Sequence, residues 1–451
     1  MTLFFPEAPL KMVAGRGQFL YDEQGREFLD CINNVAHVGH GNPRVQAAVA
    51  EQLGALNTNS RFLHDSLSLY AQRLCATFPA HLSVCFLVNS GSEANDLAIR
   101  LARAHTRNKD VLCVDGAYHG HLTSTMAISP YKPNRVEAKW AHVAPLPCSY
   151  RAAPGRPAGE QYARQAAQVL EAAEARGRKL AAFIVESMIS CGGQTPLPAE
   201  YLERMQELVR SRNALLICDE VQTGFGRCGE HMWAFQLAGA QVQPDIVTVG
   251  KPIGNGFPVS AVVCTRAVAD SFKAAGHEYF NTFGGNPASC AAALAVLDEL
   301  ESRRLVENAR RVGRHVLDEL RRVQRQHPRF VGDVRGVGFF IGLELVQSRA
   351  GREPAPELAR YLVAKMRRAQ VLVSTEGKHG NVLKFKPPMV FALADARKFV
   401  GALEAALRDL ESSLLEAEPA AGTELARRAE SNYSSASSVS SGSWLESSLE
   451  M

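Results

Sequence analysis

The chain has 451 residues, 46% of them hydrophobic and 21% charged, with a formal net charge of +4. At about 150 residues per domain that length suggests about three domains, and the composition supports a sizeable core. It excludes a disordered, collagen-like or disulfide-stapled protein, and the interspersed charges lack the basic stripe of a nucleic-acid binder.

Taken in chain order, residues 1–55 read as an irregular arm with short strands (GQFLYDEQGREFLD), then a helix after Pro43. From residue 83 the texture becomes short apolar runs alternating with helical stretches: SVCFLV (83–88), VLCVD (111–115), AAFIVE (181–186), LLICDE (215–220), DIVTVG (245–250) and VSAVVC (259–264). Such runs predict buried parallel strands of an α/β sheet. A helical stretch from 287 to 325 follows. VGFFIGLELV, a helix near 355–368, VLVSTEG, NVLKFKPP and a helix near 393–416 then suggest a small α+β domain. The expected division is 1–55 arm, 56–325 large domain, 326–416 small domain and 417–451 disordered tail. Ten serines among the last 21 residues cannot bury enough to offset their ordering entropy.

No cysteine pair has CxxC spacing, and Cys85 and Cys218 sit in strand-like runs, so core thiols in a reducing compartment are expected. The longest apolar run, Ala288–Leu297, is too short for a membrane span. The start, MTLFFPEAPLKMVAG, shows neither a signal-peptide core nor an Arg/Ser-rich transit helix. The expectation is a soluble intracellular protein with no membrane or nucleic-acid partner.

Three stretches can carry chemistry. Asn89-Ser90-Gly91-Ser92-Glu93 follows a strand and opens a helix, which suits either a phosphate at the helix N-terminus or a plain capping box. Asp219 and Glu220 end LLICDE at the carboxyl edge of the sheet, where ligands of open α/β sheets bind; a structural ion pair with Arg227 is the alternative. Lys251 follows DIVTVG and precedes Pro252 and Gly254-Asn255-Gly256. It reads as a desolvated Schiff-base lysine or as a snorkelling loop lysine. Gly224-Phe225-Gly226-Arg227-Cys228-Gly229 matches a dinucleotide fingerprint in letters, but without the βαβ context it reads as a tight loop. The pairs His119/His121 and His37/His40 lack a third ligand at metal spacing, so no metal is expected.

NSGSEAN, AYHGH, ICDEVQTGFGR, VTVGKPIGNG and NTFGGNP, in this order, resemble the class III pyridoxal-phosphate-dependent aminotransferases of fold type I, from about residue 5 to 410. The resemblance implies pyridoxal 5'-phosphate as cofactor, Lys251 as the Schiff-base lysine and Asp219 as partner of the pyridinium nitrogen. It further implies Gly91 and Ser92 at the cofactor phosphate, Tyr118 and Val221 on the two ring faces, and Gln222 at the 3-hydroxyl. Thr282 would reach the cofactor of a neighbouring subunit, which makes a homodimer or a homotetramer the expected assembly. Glu186 matches a family carboxylate near the site.

CINNVAHVGH, LNTNSRFLHD, AAFIVESMISCGGQ and LKFKPP look like the phospho-lyase branch of that family. The implied substrate is an aminoalkyl phosphate: ethanolamine phosphate, or alternatively 5-phosphohydroxy-L-lysine, with conventional transamination as the rival activity. Lys384 stands where class III transaminases usually carry Arg, and a lysine lacks the bidentate fork that suits a carboxylate. Arg61 and Lys384 are the candidate cations for the leaving phosphate. GHGNP stands where the family commonly has GHCHP, and the N-terminus looks some twenty residues shorter than in the branch. Relatives imply a mitochondrial location, with the cytoplasm as alternative.

Overall fold

The apolar runs become neighbours in one sheet. The computed structural model describes residues 3–6, 8–132 and 136–417. It begins with β1 (Met12–Arg16), β2 (Phe19–Asp22) and β3 (Glu27–Asp30), then α1 (Pro43–Ala55) and α2 (Asp65–Ala76). There follow β4 (Leu82–Val88), α3 (Gly91–Thr106), β5 (Asp110–Val114), α4 (Thr123–Ala127), β6 (Ala141–Ala144), α5 (Ala158–Glu174) and β7 (Leu180–Glu186). Next come a small ribbon of β8 (Met188–Ile189) and β9 (Thr195–Pro196), then α6 (Tyr201–Arg210), β10 (Leu215–Asp219), β11 (Ile246–Val249), β12 (Ser260–Thr265) and α7 (Arg266–Ala274). The rest is α8 (Pro287–Ser302), α9 (Leu305–Gln326), β13 (Val331–Val337), β14 (Phe340–Leu345), α10 (Pro356–Arg368), β15 (Val371–Leu372), β16 (Ser374–Glu376), β17 (Val382–Phe385) and α11 (Leu393–Ala417).

The seven-stranded sheet runs β4-β12-β11-β10-β7-β5-β6. Strand β12 is antiparallel to both of its neighbours, and the other pairs are parallel. The α/β expectation with a mostly parallel sheet therefore holds. Every residue of β7 and β10 is buried, as continuous apolar runs in a covered parallel sheet require. Leu97, Leu101 and Ala98 of α3 pack with Ile184, Ile217 and Val262 in one apolar cluster. The register sets Asp219 level with Glu186 on one side and Thr248 on the other. Strand ends thus bring several polar side chains to one edge.

The helical stretch expected over 287–325 is two helices. Arg304, at φ 51°, breaks it between α8 and α9. Beyond them, β13-β14-β17-β16 form a four-stranded sheet. The arm's β1-β2-β3 pick up β15 through the parallel pair Val371↔Leu29. The described residues up to Ala402 form one compact unit, and those from Leu403 to Ala417 belong to a second. The serine-rich tail lies outside the described residues from position 418.

The Gly224–Gly229 segment is a tight loop, with positive φ at Phe225, Gly226 and Gly229. Its Arg227 does not pair with Asp219. The fully buried guanidinium donates to the carbonyls of Pro387 (2.8 Å) and Phe339 (3.5 Å) and meets His37 Nδ1 at 3.1 Å. His37 donates from Nε2 to the Phe225 carbonyl, and burial keeps this imidazole neutral by pushing its pKa well down. All ten cysteines are free. Seven are buried, Cys218 among them, while Cys85 is only partly so.

Helix α9 touches the β13–β14 turn backbone to backbone. A Cβ on Gly313 would sit 2.2 Å from the Gly338 carbonyl oxygen, and Gly338 itself has φ +57°. Mid-helix glycine normally gains about 0.5–1 kcal/mol on becoming alanine. Gly313→Ala is expected to do the reverse, destabilising by about 1–3 kcal/mol through overpacking. A lower thermal midpoint in a melt checks this, and a higher one would contradict the contact.

Candidate active site

The polar groups gather where parallel strands end. Chain leaving β4 turns through Asn89 and Ser90 into α3, and Ser90 Oγ caps the helix by accepting from Glu93 N at 3.2 Å. The expected capping box is only half formed, because Glu93 reaches Asn89 N (3.0 Å) and Asn281 Nδ2 (2.8 Å) instead. That ties the helix start to the NTFGGNP loop. The first turn of a helix offers N–H groups without internal partners and the positive end of its dipole. Gly91 lets another wall come close: a Cβ there would stand 2.7 Å from Val221 Cγ1. Ser92 Oγ accepts from His121 N at 3.1 Å, and Gly120 lies so close that its Cβ would strike Ser92.

Asp219 is buried at the end of β10 and is the most heavily bonded carboxylate of this edge. Its Oδ2 takes Asn95 Nδ2 and His119 Nδ1, each at 2.7 Å, and its Oδ1 takes Val221 N at 3.0 Å. His119 is thus a hydrogen-bonding histidine. Its Nε2 is buried without a partner among the described residues. Asn95 Oδ1 is anchored by Thr248 Oγ1 at 2.6 Å, so its amide group is fixed with the nitrogen toward Asp219.

Glu186, one strand away, accepts from Tyr118 N and Ser190 N, both at 3.1 Å. Burial first, and the neighbouring Asp219 after it, push its carboxyl up to about 7 against the pull of His119. It lines neither cavity described below, and its contact with the site is through the backbone of Tyr118.

Lys251 begins a 3₁₀ turn after β11 with φ 34°. That is a backbone conformation costing about 1–3 kcal/mol in a non-glycine residue. The next turn is held by Asn255, which accepts from Val38 N (2.8 Å) and donates to the Gly39 carbonyl (2.9 Å). The Lys251 amine lies 6.0 Å from the centre of the Tyr118 ring. Burial lowers its pKa from lysine's ordinary value, and the attraction of Asp219 opposes that shift.

Two cavities meet at Tyr118 and Lys251. One, of about 320 Å³, is lined by Gly91, Ser92, Asp219 and Val221. The other, of about 460 Å³, has Gln222, Glu376, Lys384 and Lys386 among its polar lining and Phe4, Phe5, Leu10 and Met12 among its apolar walls. Gln222 Oε1 accepts from Asn34 Nδ2 (2.8 Å) and Lys386 Nζ (2.7 Å), which turns its NH₂ end the other way. Lys384 is paired with Glu376 at 2.6 Å.

The structure therefore brings Gly91, Ser92, Tyr118, Asp219, Val221, Gln222, Lys251 and Lys384 together, with Glu186 behind Tyr118. Thr282 and Arg61 line neither cavity of their own chain. Both are exposed, and Arg61 lies over the Phe280 ring at 4.2 Å, beside the Thr282 loop. Sequence reasoning passed over Asn95, Asn34, Glu376 and Lys386, and weighed His119 only as a metal ligand or an ordinary hydrogen-bonding histidine. Of these, Lys386 had a signal: two residues past Lys384 on an extended segment, it shares that residue's face.

The donor set fits pyridoxal phosphate. One cavity is lined by a glycine-walled helix N-terminus that suits an anion, by Tyr118 and Val221, by the buried carboxylate of Asp219 and by the amine of Lys251. The aminotransferase class-III model matches residues 6–407. A Drosophila melanogaster protein named alanine–glyoxylate aminotransferase 2-like is 48% identical over 409 residues, 88% of this chain and 82% of that one. Ethanolamine-phosphate phospho-lyase homolog 1 of Caenorhabditis elegans is 41% identical, covering 90% of each chain. Among solved structures, a phospholyase from Arthrobacter in complex with phosphoethanolamine superposes with a TM-score of 0.86 at 39% identity, over 90% of this chain and 96% of that one. The chain belongs to the class III aminotransferase family, has its fold type I architecture, and is a pyridoxal-phosphate enzyme.

Two measurements probe this geometry. Gly91→Ala drives a methyl into Val221 and is expected to weaken cofactor binding by at least about tenfold, a loss of about 1.4 kcal/mol, read by titrating the apoprotein with cofactor. Glu186 favours folding while it is protonated. Its contribution is full below 4.5 and lost as pH rises to about 7, at most about 3 kcal/mol in all. Glu186→Gln is expected to flatten the fall of apoprotein stability across that window, measured by urea unfolding at a series of pH values.

Proposed function

We propose that this enzyme is a phospho-lyase that converts ethanolamine phosphate and water to acetaldehyde, ammonia and phosphate. The observation that carries this reading is the cation set of the larger cavity. Among the described residues lining it are three lysines and no arginine, and one of those lysines, Lys384, is held by Glu376. An amino-acid carboxylate is best gripped by a bidentate guanidinium, whereas a phosphate accepts ammonium groups as point charges. The phospho-lyase relatives from Caenorhabditis and Arthrobacter support the same reading.

Pyridoxal phosphate supplies, when bound, the ring that withdraws electrons from the carbon bearing the substrate nitrogen. The protein's own groups do the rest. Asp219, fixed by Asn95 and His119, holds the proton at the ring nitrogen. The Lys251 amine, lowered by burial, takes the proton from the carbon bearing the nitrogen, which is general-base work for a lysine of reduced pKa. The bond from the adjacent carbon to the phosphate oxygen then breaks, and cations in the cavity stabilise the departing dianion more than the bound ester. 5-Phosphohydroxy-L-lysine carries the same aminoethyl-phosphate head and is the alternative substrate. Conventional transamination is the second reading, favoured by the name of the Drosophila relative.

The assembly we propose is a homodimer, with pairing of dimers into a tetramer compatible with it. Thr282 and Arg61 face outward amid Phe62, Phe280 and Phe283, which are 75%, 43% and 66% exposed. An apolar patch of this kind marks an interface, and from it both residues reach a partner's site. No helix of the described residues is long and apolar enough to cross a membrane. A mitochondrial location is the compartment that the names of the human and Arabidopsis relatives favour.

With ethanolamine phosphate the enzyme is expected to release phosphate and ammonia in equal amounts with no keto acid present. Lys251→Ala should abolish release, and Asp219→Ala should reduce it by several orders of magnitude, while circular dichroism shows both folded. Amino transfer to pyruvate or 2-oxoglutarate without phosphate release would establish the aminotransferase instead.

A further inference from the structure

Lys386 is 2% exposed and lies just beyond β17 on the same face as Lys384. The intervening Phe385 points away, into an aromatic cluster with Phe339, Phe391 and Phe399. The Lys386 amine donates to Ser190 Oγ and Gln222 Oε1, both at 2.7 Å, and to no other partner among the described residues. No carboxylate of the described residues lies within ion-pair distance of it. Burying an ammonium against neutral acceptors alone is costly, and a fold keeps such a group where an anion completes it. Lys384, by contrast, already has Glu376, and Arg61 lines neither cavity.

We propose that Lys386, and not Lys384, is the group of this chain's own cavity that receives the phosphate of the substrate. An ammonium has three N–H donors. Two are spent on Ser190 and Gln222, and the third is left for the larger cavity that Lys386 lines together with Lys251. The two neutral acceptors fix the direction of that donor without neutralising its charge. Lys251 lines that same cavity, so a phosphate held by Lys386 shares the space that the Lys251 amine faces. Specificity follows from the difference between the two lysines. The paired Lys384–Glu376 carries no net charge, and Lys386 gives the pocket room for one excess anion.

The charge is conditional. Burial and the neighbouring Lys384 and Lys251 push the Lys386 pKa well below its ordinary value, while Glu376 and Cys191 pull the other way. Above that lowered pKa the amine is neutral in the empty cavity, and an arriving dianion raises its pKa and draws in a proton. Anion binding above the lowered pKa is therefore accompanied by proton uptake, and the uptake disappears at lower pH, where the amine is already charged.

The inference rests on the phospho-lyase reading and is tested separately from it, on the holoenzyme. Lys386→Met keeps an unbranched chain of similar length. It is expected to weaken binding of inorganic phosphate about 10- to 100-fold, the range for a lost hydrogen bond to a charged group, and to raise KM for ethanolamine phosphate by a similar factor. Removing the neighbouring pair together, as Lys384→Met with Glu376→Gln, takes away no net charge and should change both by less than Lys386→Met does. The absorption band of the bound cofactor should be retained in both. Calorimetry of sulfate binding, a dianion with no proton of its own to exchange, in two buffers of different ionisation enthalpy at alkaline pH should show proton uptake in the wild type and none in Lys386→Met. Unchanged phosphate affinity in Lys386→Met, a larger loss in the Lys384→Met/Glu376→Gln double variant, or sulfate binding to the wild type without proton uptake would each overturn the assignment. If Lys386→Met loses phosphate binding while the wild type releases no phosphate from ethanolamine phosphate, the lyase reading fails and the anion site stands.

Discussion

The site depends on one buried carboxylate at the end of a central strand. Asp219 is worth burying only because three donors meet it there, and each comes from a different element. Asn95 belongs to the first turns of α3, His119 to the loop after β5, and Val221 to the turn that Asp219 itself begins. Placing those donors requires β10 to lie between β7 and β11 in register, and α3 to start at Gly91. The same carboxylate raises its neighbour Glu186 and attracts Lys251. Removing it would leave a histidine, an amide and a lysine in an apolar setting without the charge that organises them.

Regular local physics made the sheet legible. Runs such as AAFIVE and LLICDE are apolar throughout because both sheet faces are covered, and short β-rich runs between helical stretches have few other solutions. Position along those runs also placed Asp219 and Lys251, since strand ends fall at the ligand-binding edge. What escaped was set by tertiary partners. Arg227 and Asp219 are eight residues apart in sequence, which suggested an ion pair, yet the guanidinium turns to carbonyls near residues 339 and 387. The capping box at Ser90 was half right because Glu93 found Asn281, far along the chain. Arg304 ended a helix that no proline or glycine had marked. Asn95 carries no signal of its own in the sequence, and only the register of β10 and β11 shows that it bridges Asp219 and Thr248.

Charge is distributed differently in the two cavities. In the smaller one the buried acid accepts three hydrogen bonds, and the groups offered to an anion are the backbone and hydroxyls at the start of α3. In the larger one the cations are lysines, one neutralised by Glu376 and one resting on neutral oxygens. Phe4, Phe5, Leu10 and Met12 supply much of that cavity's apolar lining. Lys251 and Tyr118 stand at the junction and are the only groups of the described lining common to both.

The free thiols give the molecule a built-in clock. Burial pushes Cys191, Cys264 and Cys290 up to about 12, and the buried Cys31 and Cys218 rise well above their ordinary value as well. The thiolate is the reactive form, so these raised thiols are almost inert to alkylating reagents while the protein stays folded, whereas the half-buried Cys75, lowered by its hydrogen bond with Cys85, is open to them. Every local opening returns the thiols it exposes to ordinary reactivity. Cys113 and Cys218 lie within central strands and Cys148 beside the start of a 3₁₀ turn, so the order in which cysteines become labelled reports which layer of the fold opens first, with no probe added to the chain.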